Sequence, residues 1–181
     1  MAAVIVYGSL INPKQLQPQS VLFSEIQPVL VKGYKRTFNQ EPSWRKSDSE
    51  HRAVLNVIRS DQDCFNGLLV KLQDSDNLSR LDERERGYHR AVIAPSQLSC
   101  LANVSQSEDP DLACSELAYG QTYLYLGRLE KQNNNILPNK RYLNICLQGA
   151  QHWGEAFYEQ FLQTTYVGEL TLKTFLQLSL E

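Results

Sequence analysis

The stretch that most constrains the fold lies near the amino terminus, where Val4 to Leu10 reads VIVYGSL and leads into Asn12-Pro13. Its first three residues are β-branched, and such a run without polar alternation is typical of a buried strand. Glycine and serine end the strand. Asn12 before Pro13 predicts a helix start, because Asn caps helices and Pro suits the first helical position. This strand, turn and helix start aim backbone N–H groups at one point, where they can bind a carboxylate or a developing oxyanion.

The size and charge of the chain exclude several classes of protein. Its 181 residues are 42% hydrophobic, which predicts one domain, residues 1–181, with a sizeable core. The net charge of −2 provides no field that would attract nucleic acid or an anionic membrane. No apolar run approaches the ~18 residues that span a bilayer, and no targeting segment precedes the first strand. We therefore expect a cytoplasmic protein that binds neither nucleic acid nor membrane.

The cysteines and histidines do not form a recognisable pattern. Cys64, Cys100, Cys114 and Cys146 are far apart, with no CxxC pair, and the three histidines are not spaced as metal ligands. This spacing argues against a zinc site, a dithiol redox centre and a disulfide framework. We expect neither a metal nor a cofactor.

Hydrophobic periodicity predicts several strands followed by one long helix. We expect strands at 26–31 continuing to 38, at 52–58, 65–72, 88–93 and 118–126, and helices at 13–17, 75–86 and 141–163. A turn at 60–63 would join 52–58 and 65–72 into a hairpin. Residues 95–117 read as a polar exposed loop or insertion, and the tail at 169–180 fits either a strand or a helix. This order favours the α+β class, with a mixed, mostly antiparallel sheet curled into a small β-barrel with flanking helices.

The most informative helix is 75–86, because it places a carboxylate on its apolar face. At ~100° per residue, Leu78, Leu81 and Glu85 fall on one stripe, while Arg80, Arg84 and Arg86 point away and read as a solvated face. Burial of a glutamate is costly unless it is paired, protonated or used, and desolvation raises its pKa towards neutrality. Glu85 is therefore either a general acid or base, or a last-turn residue that pairs with Arg90.

Four stretches occur together in compatible order between residues 4 and 163. They are Val4–Leu10 (VIVYGSL), Phe65–Leu72 (FNGLLVKL), Leu81–Glu85 (LDERE, an L-D-x-x-E pattern) and Pro138–Tyr142 (PNKRY), which runs on to Gly149-Ala150. In these stretches the sequence resembles the γ-glutamylcyclotransferase-like superfamily, which includes the ChaC-like and γ-glutamylamine cyclotransferases. The sequence departs from the family pattern at the insertion 95–117 and at Arg86-Gly87, directly after the glutamate.

The resemblance implies an enzyme that cyclises a γ-glutamyl group to 5-oxoproline and releases the attached amine or amino acid. Its substrate would be a small γ-glutamyl compound, with no metal or cofactor. In this family the final Glu of the L-D-x-x-E pattern is catalytic, which here is Glu85. The implied substrate contacts are Tyr7, Gly8, Ser9, Leu10 and Tyr142. Periodicity alone instead places Tyr142 on the core stripe of the long helix, and both interpretations stay open.

Two functions of other classes also stay open. Ser9 is a candidate hydrolase nucleophile, although the turn lacks the G-x-S-x-G elbow and no histidine stands out as its base. A non-catalytic protein that binds a small molecule in the same fold is the other alternative, since a fold does not guarantee an activity.

Overall fold

The computed structural model describes residues 2–16, 23–43, 49–74, 76–101 and 120–179. The strands are β1 Ala2–Val6, β2 Phe23–Gln40, β3 His51–Leu72, β4 Tyr88–Ile93, β5 Leu98–Cys100, β6 Gln121–Gly127, β7 Leu137–Pro138, β8 Thr165–Val167 and β9 Leu170–Thr171. The helices are α1 Pro13–Leu16, α2 Asp76–Arg84, α3 Lys140–His152, α4 Glu155–Gln163 and α5 Leu172–Leu178.

The strands form a mixed sheet with the order β4-β6-β1-β3-β2-β8-β9, to which β5 adds at β2 and β7 at β3. Strand β1 lies inside this order, parallel to β6 and antiparallel to β3. Its β-branched run is buried on both faces, since Val4 and Ile5 each keep 1% of their accessible surface. The predicted α+β class is confirmed. Among the described strands β4 and β9 do not pair with each other, so the sheet is open and the predicted barrel is not confirmed.

The predicted hairpin between 52–58 and 65–72 is wrong. Both segments belong to the single strand β3, which pairs antiparallel with β2 along its length. The polar residues at 60–63 lie where the pairing shifts opposite Gly33, whose φ of +86° is a left-handed conformation that glycine readily adopts. The turn-like composition at 60–63 therefore marks an irregularity within a long strand rather than a reversal of the chain.

The predicted helix at 141–163 is two helices, α3 and α4. Gly154 has a φ of +97°, and this conformation interrupts the helix after Trp153. The Trp153 indole donates a hydrogen bond to the Ile11 carbonyl at 2.9 Å, which fixes the junction against the turn after β1. The apolar stripe continues across the break, because Cys146 on α3 and Phe161 on α4 are both buried. Periodicity alone therefore could not reveal the interruption.

Two segments of uncertain type in the sequence adopt regular structure. Residues 95–97 form a 3₁₀ turn and 98–100 form β5, which corrects the start of the predicted loop 95–117. Residues 102–117 of that loop lie outside the described residues. The tail at 169–180 contains both alternatives, with strand β9 followed directly by helix α5.

The state of the cysteines and the composition of the helices can be compared with the sequence predictions. Cys64 and Cys146 are free thiols, whereas Cys100 is disulfide-bonded, so the sequence argument against a disulfide framework does not exclude a single bridge. Within the described residues, no helix combines the length and the apolar composition that crossing a bilayer requires. The cytoplasmic location stays a prediction.

Candidate active site

A cavity of about 290 Å³ lies at the end of β1, between α2, β6 and the first turn of α3. All six residues that the sequence singles out line it, namely Tyr7, Gly8, Ser9, Leu10, Glu85 and Tyr142. They come from three separate parts of the chain, which are the turn after β1, the end of α2 and the first turn of α3. Their contact with a substrate stays a prediction.

The turn after β1 lines this cavity. Ser9–Ile11 form a 3₁₀ turn in which the Ile11 amide donates to the Gly8 carbonyl at 3.1 Å. The first amides of such a turn have no acceptor within it, and Ser9 and Leu10 occupy these positions. Backbone N–H groups without an internal acceptor can stabilise a negatively charged oxygen.

Gly8 packs closely against a side chain of α3, and its φ lies outside the left-handed region that favours glycine. Its φ of −111° is accessible to any residue. A Cβ atom at this position would lie 2.5 Å from the hydroxyl oxygen of Tyr142, closer than real Cβ contacts. The absence of a side chain at Gly8 therefore allows Tyr142 to reach the turn.

Glu85 lies at the end of α2, facing the cavity. Its amide donates to the Leu81 carbonyl at 2.8 Å, so the helical path continues through it. Leu81 is 1% exposed, while the Glu85 side chain keeps 21% of its accessible surface. Burial raises the pKa of the Glu85 carboxyl, and the nearby Arg84 guanidinium opposes this rise. The site thus holds a partly desolvated carboxyl of the kind that transfers protons near neutral pH.

The ion pairs around α2 differ from the pairing of Glu85 with Arg90 that the sequence left open. Arg84 approaches Glu85, with Nε 3.3 Å from Oε1, whereas Arg90 donates to Asp82 at 2.7 Å. The predicted pairing of Glu85 with Arg90 is therefore wrong. Asp82 also accepts a hydrogen bond from the Tyr125 hydroxyl at 2.7 Å, so its two oxygens hold two neighbouring side chains.

Tyrosine side chains form much of the cavity wall. The Tyr7 hydroxyl donates to the Tyr125 carbonyl and the Tyr88 hydroxyl donates to the Leu55 carbonyl, both at 2.7 Å. Burial raises the pKa of both phenols, so they stay neutral at physiological pH. The hydroxyls of Tyr7 and Tyr88 are thus bonded to backbone, while both side chains line the cavity. Sequence reasoning missed Tyr88 and Tyr125, which reach the cavity only through the pairing of β4, β6 and β1.

The position of Tyr142 is compatible with both interpretations of the sequence, and its contact with a substrate stays a prediction. Its ring packs edge-on against the buried Phe38, with ring centres 6.3 Å apart, as a core residue would. Its hydroxyl hydrogen-bonds the Cys146 thiol and lies against Gly8, at the cavity wall. The ring thus belongs to the core, and the polar end belongs to the cavity.

Tyr142→Phe keeps the ring and removes only this polar end. We expect the free energy of unfolding to change by less than ~1.5 kcal/mol, the size of one net hydrogen bond, while KM for substrate increases. Thermal denaturation and steady-state kinetics would measure the two effects, with Tyr158→Phe on α4 as a control that does not line the cavity. A large fall in Tm with an unchanged KM would make Tyr142 a core residue alone.

Arg36 is a buried cation next to Tyr7, and the sequence patterns indicated no role for it. It is 0% exposed, and it donates to the Asn66 carbonyl at 2.6 Å, the Thr165 hydroxyl at 2.8 Å and the Tyr7 carbonyl at 3.5 Å. Its guanidinium lies 4.0 Å from the centre of the Phe161 ring. Burial lowers the pKa of the guanidinium to about 9, so it stays charged at neutral pH. Arg36 thereby ties β1, β3 and the end of α4 together.

Arg84 corrects the interpretation of the arginines on α2 as a uniformly solvated face. Helical periodicity points it away from the stripe, yet its side chain lines the cavity and approaches Glu85. A long arginine side chain can bend back along a surface, and the Glu85 carboxyl provides the attraction. The signal that could have found it was its position next to the glutamate.

Arg84→Met should change the pH dependence of the reaction. The guanidinium holds down the pKa of Glu85, so its removal raises that pKa further. If Glu85 must be ionised to accept a proton, the acidic limb of kcat/KM then moves to higher pH. A pH profile of kcat/KM measures this shift, with the exposed Arg86→Met as the charge-matched control. An unchanged or lowered limb in Arg84→Met would contradict the role of Glu85 as the base.

The residues around Ser9 give little support to a serine hydrolase. Ser9 lines the cavity, but none of the described residues that line it is a histidine. Activation of a serine requires a base within hydrogen-bond reach that is itself oriented by a third group. Among the described lining residues, Ser9 therefore has no histidine to act as its base.

Comparison with known proteins identifies the fold. No family model and no curated protein matches the sequence. A solved structure described as a gamma-glutamyl cyclotransferase matches with a TM-score of 0.60 at 15% identity, covering 99% of this chain and 98% of its own. A yeast gamma-glutamyl cyclotransferase specific to glutathione matches with a TM-score of 0.59 at 14% identity, covering 96% and 98%. An uncharacterized human protein matches with a TM-score of 0.61 at 18% identity, covering 97% of each chain.

These matches extend over nearly the whole chain at low identity, so they define the fold. The chain has the γ-glutamylcyclotransferase-like fold, as its four sequence stretches predict. The fold is shared with enzymes that the structures describe as gamma-glutamyl cyclotransferases, and the activity of this chain has to be argued from its own cavity.

Proposed function

We propose that this chain is a γ-glutamylcyclotransferase-type enzyme, which cyclises a γ-glutamyl group to 5-oxoproline and releases the attached amine or amino acid. One observation carries the proposal. Glu85, whose carboxyl pKa is raised by burial, and the Gly8–Leu10 turn line the same cavity.

The reaction needs few chemical groups, because the nucleophile belongs to the substrate. The free α-amine attacks the γ-carbonyl carbon, a new C–N bond closes the five-membered ring, and the bond to the leaving nitrogen breaks. Holding such a chain in its closing conformation can be worth an effective molarity of ~10⁵ M or more. The cavity wall, with Leu10 and the tyrosines, would supply this confinement.

The protein supplies a proton carrier and an oxyanion site in this scheme. Glu85 takes the proton that the attacking amine loses and delivers it to the leaving nitrogen. The amides of Ser9 and Leu10 stabilise the oxygen of the tetrahedral intermediate. Tyr142 contacts the substrate from its position beside the turn. The scheme forms no covalent intermediate with the protein and involves no metal or cofactor.

A panel of γ-glutamyl compounds, assayed for 5-oxoproline by chromatography, tests the proposal directly. The panel should include γ-glutamyl amino acids, glutathione and γ-glutamylamines, with heat-treated protein as the control. We expect release from at least one class. A crystal soaked with 5-oxoproline separates the alternatives. The proposal predicts an unmodified ligand beside Glu85, whereas a serine hydrolase would show a covalent adduct at Ser9. Binding without turnover of any compound would favour a non-catalytic protein.

A further inference from the structure

A second cavity, of about 270 Å³, adjoins the candidate active site. The two cavities share Ser9, Arg84 and Tyr142 in their linings. A molecule whose reacting carbonyl lies beside Glu85 can therefore continue past these residues into the second cavity. In the proposed reaction, the part of the substrate that extends beyond the carbonyl is the leaving group.

The second cavity is lined by cations. Arg52, Arg84 and Arg141 line it, and none of the described residues in its lining is acidic. Arg52 is held by Glu41 at 2.9 Å and Arg84 lies 3.3 Å from Glu85. Arg141 forms no ion pair with any carboxylate of the described residues. Of the three cations, Arg141 is thus the one for which the described residues provide no carboxylate partner.

The start of α3 adds to this positive field. Asn139, which also lines the second cavity, caps the helix by accepting a hydrogen bond from the Tyr142 amide at 3.0 Å. The amino end of a helix carries a partial positive charge, and Arg141 lies in the first turn. The cavity therefore combines guanidinium groups with the positive end of a 13-residue helix.

We infer that this arginine-lined cavity binds a carboxylate on the leaving group, so that the enzyme prefers γ-glutamyl amino acids and peptides to γ-glutamylamines. The inference rests on the proposed function. Guanidinium groups bind carboxylates through paired, charge-assisted hydrogen bonds, whereas a cationic amine in the same place would face like charge. The carboxylate stays unchanged in the reaction and leaves with the amine that Glu85 protonates.

A matched pair of substrates tests the inference. γ-Glutamyl-alanine and γ-glutamyl-ethylamine differ only in the leaving-group carboxylate. We expect kcat/KM to be ~10-fold or more higher for γ-glutamyl-alanine, the effect of one charged hydrogen bond. Arg141→Gln should remove most of this preference by lowering kcat/KM for γ-glutamyl-alanine ~10-fold, and should leave the value for γ-glutamyl-ethylamine nearly unchanged.

Lys140→Gln is the matched control for this variant. Lys140 precedes Arg141 on the same helix and has the same charge, but it does not line the cavity. We expect it to retain the preference, since a charge that does not contact the leaving group is screened by solvent. If only Arg141→Gln loses the substrate preference, the preference comes from direct contact with Arg141. If both variants lose it, the preference comes from the overall positive charge at the start of α3.

The possible outcomes distinguish this inference from the proposed function. Equal loss for both substrates in Arg141→Gln would place the γ-glutamyl carboxylate itself in the second cavity and overturn the inference. Equal turnover of both substrates by the unmodified protein would overturn it as well, with the cyclisation intact. If no γ-glutamyl compound released 5-oxoproline, the proposed function would fail and this inference with it.

Discussion

Glu85→Gln is expected to reduce the rate of 5-oxoproline formation by ~10²-fold or more, the usual effect of losing a general acid or base. Glutamine keeps the volume and the polarity of the side chain but cannot carry a proton between the amine and the leaving nitrogen. The Glu85 side chain is partly exposed, so we expect the fold to persist. Initial rates at saturating substrate, together with a thermal melt, measure both effects.

Two neighbouring acids on α2 provide controls for this substitution. Glu83→Gln removes a charge from the exposed face of the helix and should leave turnover close to normal. Asp82→Asn removes the carboxylate that holds Tyr125 and Arg90, so we expect a smaller loss than at Glu85. If Glu85→Gln retained turnover while Asp82→Asn lost it, the assignment of the catalytic carboxylate would be wrong.

Gly8→Val is expected to impair binding and catalysis together, by ~10²-fold or more in kcat/KM. Its Cβ would overlap the Tyr142 hydroxyl, so the turn and the tyrosine must move apart. Displacement of positioning groups by about 1 Å can cost ~10²-fold. Calorimetric titration with 5-oxoproline and steady-state kinetics report the loss. A folded Gly8→Val variant that binds 5-oxoproline normally would refute the role of the turn.

A double variant tests the cause of the Gly8 effect. As a single variant, Gly8→Ala should have a reduced kcat/KM, because its methyl group also meets the Tyr142 hydroxyl. In a Tyr142→Phe background the nearest remaining Tyr142 atom lies 3.7 Å away, an ordinary van der Waals distance. We therefore expect Gly8→Ala to cost less in that background, a non-additivity that residues in direct contact show.

The local parts of the site were predictable from the sequence, because they depend on neighbours in the chain. The β-branched run and the glycine turn after it define β1 and its end. Helical spacing places Glu85 on the same side as the buried Leu81. Both features follow from backbone geometry over fewer than about ten residues, which is the range over which periodicity is informative.

The parts that depend on distant contacts were not predictable. Tyr88 and Tyr125 reach the cavity through the pairing of β4 with β6, a contact between strands far apart in sequence. Polar residues at 60–63 have the composition of a turn, but β2 continues to pair on both sides of them. Arg84 bends towards Glu85 because of charge, which periodicity does not include.

Arg36 makes the two ends of the chain dependent on each other. A buried guanidinium must keep its acceptors, and besides Asn66 on β3 these include the Tyr7 carbonyl, directly after the first strand. They also include the Phe161 carbonyl and the Thr165 hydroxyl, near the carboxyl terminus. A substitution in this last region, far from Glu85, can therefore shift the Tyr7 carbonyl, which precedes the turn after β1. In homologous chains, a change in one of these regions would require a compensating change in the other. We therefore expect the residues of the two regions to covary.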